Sequence, residues 1–196
     1  MLTFEQFIQD TAQKGEVINL MFEERLFDLV GVLHKITDAL AAEDIPHELI
    51  GGLAVLIHVE EADPTQTALT RDVDLMVRRS DLERIKEAAA RNGFRFRHAA
   101  GVDMLLYGSA ESAKNGVRLI FSEEKVRILP ERKVIHGREV WVVPVPDWVR
   151  MKLSSYRDKD RVHIRSMDAA GLITREVEKG LPDELRSRLQ HIRETE

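Results

Sequence analysis

Between residues 47 and 77 the chain allows very few local structures. His47-Glu48-Leu49-Ile50 is a short run suited to a strand, and Gly51-Gly52 follows it directly. Leu53-Ala54-Val55-Leu56-Ile57-His58-Val59 is apolar throughout. Two glycines at its head suit a strand-to-helix turn, so this run is expected to be a buried helix. Residues 61–70 are polar with a proline and are expected to form a loop. Asp72-Val73-Asp74-Leu75-Met76-Val77 alternates acidic and apolar residues and then turns apolar, as expected of a strand with one end at the surface.

Each half of this pattern has a chemical meaning. Side chains at i and i+2 of a strand share a face, about 6.6–6.8 Å apart at Cα, so Asp72 and Asp74 point the same way. Two carboxylates so placed repel each other unless a cation lies between them. Mg²⁺ or Mn²⁺ is the expected occupant, because such ions take a few carboxylates and complete their shell with water and phosphate. The start of a helix offers unpaired N–H groups and the positive end of a dipole, so Gly51 and Gly52 are expected to hold phosphate.

The rest of the chain frames that unit. Residues 4–43 are rich in helix formers, and Leu26, Leu29, Val30, Leu33, Ile36, Thr37 and Leu40 fall on one helical face. Asp44-Ile45-Pro46 ends this segment, which is expected to be a packing or dimer element. Ser80-Asp81-Leu82-Glu83 has the form of a capping box opening a helix that stops at Gly93. Strands are expected near 94–98, 103–107, 117–121 and 139–143, and helices near 147–157, 160–171 and 182–193. The order predicts an α/β (α+β) fold: a mixed sheet flanked by helices, with an N-terminal helix and a C-terminal helical extension. We divide the chain into an N-terminal helical segment (1–44), an α/β core (45–146) and a C-terminal helical region (147–196).

Composition narrows the function classes. The chain has 196 residues, 43% hydrophobic and 32% charged, as expected of a globular protein. It has no cysteine, which removes disulfides, Cys-ligated zinc and thiol nucleophiles. A net charge of −5 argues against general nucleic-acid binding, although a local basic patch is compatible with it. No apolar run is long enough to span a bilayer, and residues 1–7 lack the basic start and apolar core of a signal peptide, so a cytoplasmic location is expected.

Ile50-Gly51-Gly52-Leu53-Ala54 and Thr70-Arg71-Asp72-Val73-Asp74-Leu75-Met76-Val77 together resemble the nucleotidyltransferase superfamily in its minimal bacterial forms. More narrowly they resemble the toxin-type AbiEii group, in which an arginine precedes the acidic pair as Arg71 does here. A second stretch, Val149 to Asp160, resembles the same group through Lys152. The resemblance covers about residues 45–175. It implies transfer of a nucleoside monophosphate from a nucleoside triphosphate to a hydroxyl acceptor, with Mg²⁺ or Mn²⁺ as cofactor. It also implies that Asp72 and Asp74 bind metal and that Asp72, Asp74 and Lys152 are catalytic. Gly51, Gly52, Arg71 and Lys152 would contact nucleotide, and a cognate protein partner of the toxin–antitoxin kind is implied.

The sequence departs from the family pattern at several places. A third carboxylate is expected on a later strand, and the matching strand, Gly116-Val117-Arg118-Leu119-Ile120-Phe121, carries Arg118 there. A guanidinium stays charged and cannot ligate a metal. Glu123, Glu124 and Asp103 are the other acids considered for that place. Further on, Ser166 stands where the group tends to carry an acid, with Asp168 nearby. The 19 residues between Gly52 and Asp72 are read as an insertion near the site mouth. Arg118 favours a rival reading, a protein of this fold that has lost its chemistry and binds nucleotide or a partner, whereas the intact Gly51-Gly52 and Asp72-Val73-Asp74 favour the enzyme. Among the other residues, His58 is expected to be a core histidine, and His163 is a candidate near substrate. The charged run 157–161 is expected to be a solvated turn, and Trp141 and Trp148 to pack the sheet against the terminal helices.

Overall fold

The computed structural model describes residues 3–66, 70, 72–108, 116–122, 131–135 and 138–195. Helix α1 (Phe4–Ala41) opens on a capping box in which Thr3 and Gln6 exchange side-chain and backbone hydrogen bonds. At about 1.5 Å per residue its 38 residues extend roughly 57 Å. The apolar stripe from Leu29 to Leu40 is buried, and Leu26 packs at its margin. Asp44, at φ 50°, ends the run and turns the chain into the sheet.

Strands β1 (His47–Ile50), β2 (Val73–Val77), β3 (Phe94–Ala99), β4 (Val102–Tyr107), β5 (Gly116–Phe121), β6 (Glu131–Ile135) and β7 (Arg138–Val142) form one mixed sheet. Its order is β3-β4-β5-β2-β1-β7-β6. β2 runs parallel to β5 and β1 parallel to β7, while the remaining neighbours are antiparallel. Helix α2 (Gly51–Ala62) follows β1, and α3 (Leu82–Arg91) follows β2. The C-terminal part holds α4 (Val145–Ser155), α5 (Asp158–Ala169), α6 (Arg175–Lys179) and α7 (Asp183–Glu194). α1 packs with α3, β2 and β7, whereas α2, α4, α5 and α7 pack on one another. No helix among the described residues is long and apolar enough to cross a membrane. The expected mixed sheet with flanking helices is therefore the observed fold.

Several local expectations are corrected. Ser80 does not cap α3: Arg79–Asp81 forms a 3-10 turn, Asp81 is the N-cap, and Glu83 instead accepts from Lys86 at 2.7 Å. Most of the stretch from Leu53 onward is not an inserted loop. α2 continues to Ala62, and Asp63 then closes it by accepting from Thr65 N–H and hydroxyl. Trp148 is fully buried as expected, but Trp141 is 38% exposed on β7, next to the edge strand. β6 and α6 were not anticipated. β6 is Glu-Arg-Lys-Val-Ile, with too few apolar residues to show a period. It is a strand because it lies at the sheet edge, where charge is tolerated.

The packing of α1 predicts opposite outcomes along its length. Leu33 is fully buried, so Leu33→Ala should cost about 2–5 kcal/mol in urea unfolding. Phe27 is 78% exposed, so Phe27→Ser should change stability by less than about 0.5 kcal/mol.

Candidate functional site

Ladder register decides which side chains can meet, because residues directly opposite one another point to the same face. Ile50 faces Asp74, Asp74 faces Arg118, Arg118 faces Met104, and Met104 faces Arg97. The neighbouring row, Leu49, Leu75, Leu119, Asp103 and His98, points to the other side. Asp103 is therefore not the third carboxylate. It is buried against His98 Nδ1 at 2.5 Å and Arg79 at 3.5 Å. Glu123, Glu124 and Arg71 lie outside the described residues.

Arg118 takes the place where a third acid was sought, and it grips the first two. Its Nε and Nη2 donate to the two oxygens of Asp74 at 2.6 and 3.0 Å. Its Nη2 also lies 3.1 Å from Asp72. A two-point guanidinium–carboxylate contact of this kind is among the stronger polar interactions in proteins. Burial opposes the Arg118 charge, but Asp74 and then Asp72 hold its pKa above the ordinary guanidinium value. The strand geometry brings Asp72 and Asp74 together as expected, and the cation between them belongs to the protein.

The glycine turn is shaped by the same carboxylate. Because Ile50 pairs with Asp74, the chain leaves the sheet beside that side chain. Gly51 adopts φ +75°, and a Cβ there would fall 2.0 Å from Asp74 Oδ2. The indole N–H of buried Trp148 donates to the Gly51 carbonyl at 3.0 Å and fixes the turn from the other side. A Cβ on Gly52 would meet Thr70 Oγ1 at 2.5 Å and His163 Cε1 at 3.4 Å. In this arrangement Gly51 lies against a carboxylate, while Gly52 faces Thr70 and His163.

Lys152 is not a surface lysine. It projects from α4 into a buried pair with Asp160 of α5, Nζ to Oδ1 at 2.8 Å. Asp160 is wholly shielded from solvent and also accepts from Ser155 Oγ (2.7 Å), Arg157 Nε (2.7 Å) and Arg157 N–H (3.2 Å). Burial disfavours the Asp160 charge, but these donors outweigh it and hold the acid well below the usual carboxylate range. Burial pulls the Lys152 ammonium below its ordinary value, against Asp160 and, further off, Asp74. The 157–161 run is thus only partly the solvated turn expected: Asp158 and Arg161 face water, while Asp160 anchors α4 to α5. Asp160 escaped notice because its sequence context, Arg-Asp-Lys-Asp-Arg, looks like exposed charge. Its position as the third helical residue after Arg157, the N-cap, was the available signal.

Histidines and later acids sort as follows. His58 is a core residue, its Nε2 2.8 Å from the Val143 carbonyl oxygen. Asp168 is paired with Arg193 at 2.7 and 2.8 Å and does not join the site. His163 does join it, with its ring against Gly52 and its centroid 6.1 Å from that of Trp148.

Two variants test these contacts. Asp160→Asn removes a buried charge and strands Lys152, so it should cost about 3 kcal/mol in urea unfolding, while the exposed Asp158→Asn should be neutral within about 0.5 kcal/mol. Gly51→Ala combines a left-handed backbone with a collision at Asp74, and its melting curve should show a loss of at least about 2 kcal/mol.

No protein-family model matches the sequence, and no curated protein matches it either. Solved structures match its shape. ANT(2")-Ia in complex with adenylyl-2"-tobramycin superposes with a TM-score of 0.56 at 17% identity, covering 83% of this chain and 97% of that one. An antigenic nucleotidyltransferase-like protein from Paracoccidioides brasiliensis gives 0.57 at 16% identity, over 85% and 87% of the two chains. The lincomycin-bound lincosamide antibiotic adenylyltransferase LnuA gives 0.51 at 11% identity, over 71% and 96%. The architecture of this chain is accordingly that of the nucleotidyltransferase-type fold.

Proposed function

We propose that this chain binds a nucleoside triphosphate where α2 leaves the sheet, and that nucleotidyl transfer is held off by Arg118. The single observation that carries the reading is the guanidinium bound to both Asp72 and Asp74. The acid pair on its own would suit Mg²⁺ or Mn²⁺. With Arg118 in place it does not fit a resident divalent ion, and the described residues hold no cluster of three or more metal-ligating side chains. A divalent ion at about 4 Å from the guanidinium, at an effective dielectric near 20, would meet roughly 8 kcal/mol of repulsion.

Several features support nucleotide binding. The similar structures include one named for an adenylylated product and one named as an adenylyltransferase. The first turn of α2 carries no acidic residue to compete with phosphate. Lys152 brings an ammonium within electrostatic reach of Asp74. In this reading Gly52 and Lys152 contact phosphate, Gly51 shapes the turn, and Arg71 is a further candidate contact.

A second reading keeps the transferase chemistry, attack of an acceptor hydroxyl on the α-phosphate with loss of pyrophosphate. The observation that favours it is the retained acid pair, with Asp72 still 43% exposed at its side chain. The AbiEii-like assignment and a toxin–antitoxin partner belong to the same proposal. The contact of Lys152 with Asp160, both within the second resembling stretch, supports the assignment. Exposed Met21 and Phe27 on α1 offer such a partner an apolar surface.

Calorimetry separates the readings. The parent should bind ATP or another nucleoside triphosphate with affinity that changes less than about threefold between excess chelator and Mg²⁺. Arg118→Asp should make binding depend on Mg²⁺ and should raise label incorporation or pyrophosphate release. Rapid transfer by the parent that Arg118→Ala abolishes would make Arg118 a substrate contact and defeat the first reading.

A further inference from the structure

His163 lies beside the start of α2 with a polar atom that no described residue satisfies. Its Nδ1 is buried and has no hydrogen-bond partner. A buried polar atom left unpaired is costly and uncommon in native proteins, and one beside a helix N-terminus is a candidate contact for a group that arrives from outside. The ring rests against Gly52, at the N-terminal end of the 12-residue helix α2.

The surroundings identify the charge of that group. From α4, Lys152 faces the ring. Lys159 and Asp160 of α5, with Arg157 capping it, supply the other charges. Among the described residues, Gly52 and Trp148 also lie against the ring and bring no charge. Three cations against one anion, beside the positive end of a helix, favour an anionic ligand. We infer that His163 contacts the ligand directly: its Nδ1–H donates to a phosphate oxygen of a triphosphate bound at Gly52, and the imidazole takes up a proton as the complex forms. The inference rests on the triphosphate reading above and adds a residue and a proton to it.

The proton follows from electrostatics. In the free protein, burial first and Lys152 second depress the His163 pKa to about 4, so the ring is neutral at physiological pH. A bound polyphosphate reverses the local potential and offers an acceptor to a charged ring. The charged form is then favoured, and binding strengthens as pH falls. The sign is fixed by linkage: the complex holds more protons than its free components, so acid drives association.

The probe is inorganic tripolyphosphate without any divalent ion. In the parent protein, NMR titration of labelled histidine should show the His163 midpoint moving from about 4 to the ordinary value of about 6.5 or above when tripolyphosphate is added. Between about pH 8 and about pH 5.5, calorimetric affinity should rise about tenfold more in the parent than in His163→Gln, since protonation of the probe itself cancels in the comparison. A probe that binds while the His163 midpoint stays put, or a His163→Gln profile that follows the parent's, overturns the inference and leaves the triphosphate reading standing. Absence of any tripolyphosphate or nucleotide binding by the parent overturns both.

Discussion

The contact of Arg118 with Asp72 and Asp74 is the constraint on which the rest of the site depends. Two carboxylates on one strand face form a ready cation site. The fold places it where parallel strands β2 and β5 lie side by side, so whatever occupies register with Asp74 decides the site's character. An acid there would deepen the negative charge and require an ion from solution. An arginine there closes the pair with an internal cation, which needs no recruitment and cannot be diluted away. Because Asp74 also fills the space against Gly51, the same contact fixes the turn that starts α2. One residue on β5 therefore sets the electrostatics of a strand and the geometry of a helix entry.

Much of the fold was legible in the sequence, for reasons that can be named. The α1 stripe is continuous and lies on one helical face, and Asp44-Ile45-Pro46 stops it. Glycines mark both the entry to α2 and the end of α3, where Gly93 takes φ +83°. The strands that were anticipated carry apolar residues on at least one face. Those that failed lack such signals. β6 is an edge strand, where charged residues are tolerated, and its pairing with β7 comes from hydrogen bonds that any side chains permit. Ser80 matched a capping pattern, but a 3-10 turn at Arg79–Asp81 used those residues first.

The candidate site was legible only where local spacing determines it. Period-two geometry placed Asp72 and Asp74 on one face without knowledge of the partner strands. The position of Arg118 beside Asp74 also followed from matching strands in order. The role of Asp160 could not be read in the same way, because its burial depends on how α4 meets α5. Lys152 and Asp160 are eight residues apart in sequence, across the αL turn at Tyr156, and only that turn makes them a pair. Asp103 shows the converse, an acid with a plausible position in the chain whose register turns it to the wrong face.

The two ionic clusters differ in what they leave available. Around Asp160, an ammonium, a hydroxyl, a guanidinium and a backbone N–H surround one carboxylate, so its hydrogen-bonding capacity is largely used. That saturation explains a structural role: the cluster joins α4 to α5 and holds Lys152 in place. Around Gly52 the balance is reversed. Among the described residues the His163 Nδ1 keeps unsatisfied capacity, in a region of net positive charge. Asp72 and Asp74 lie close by, but Arg118 already binds them and lessens their repulsion of an incoming anion. On the proposed reading, closing the acid pair internally disfavours a metal ion and eases the approach of a phosphate-bearing ligand in the same step. That coupling is the physical reason why, under the proposal, binding of a phosphate-bearing ligand would outlast nucleotidyl transfer.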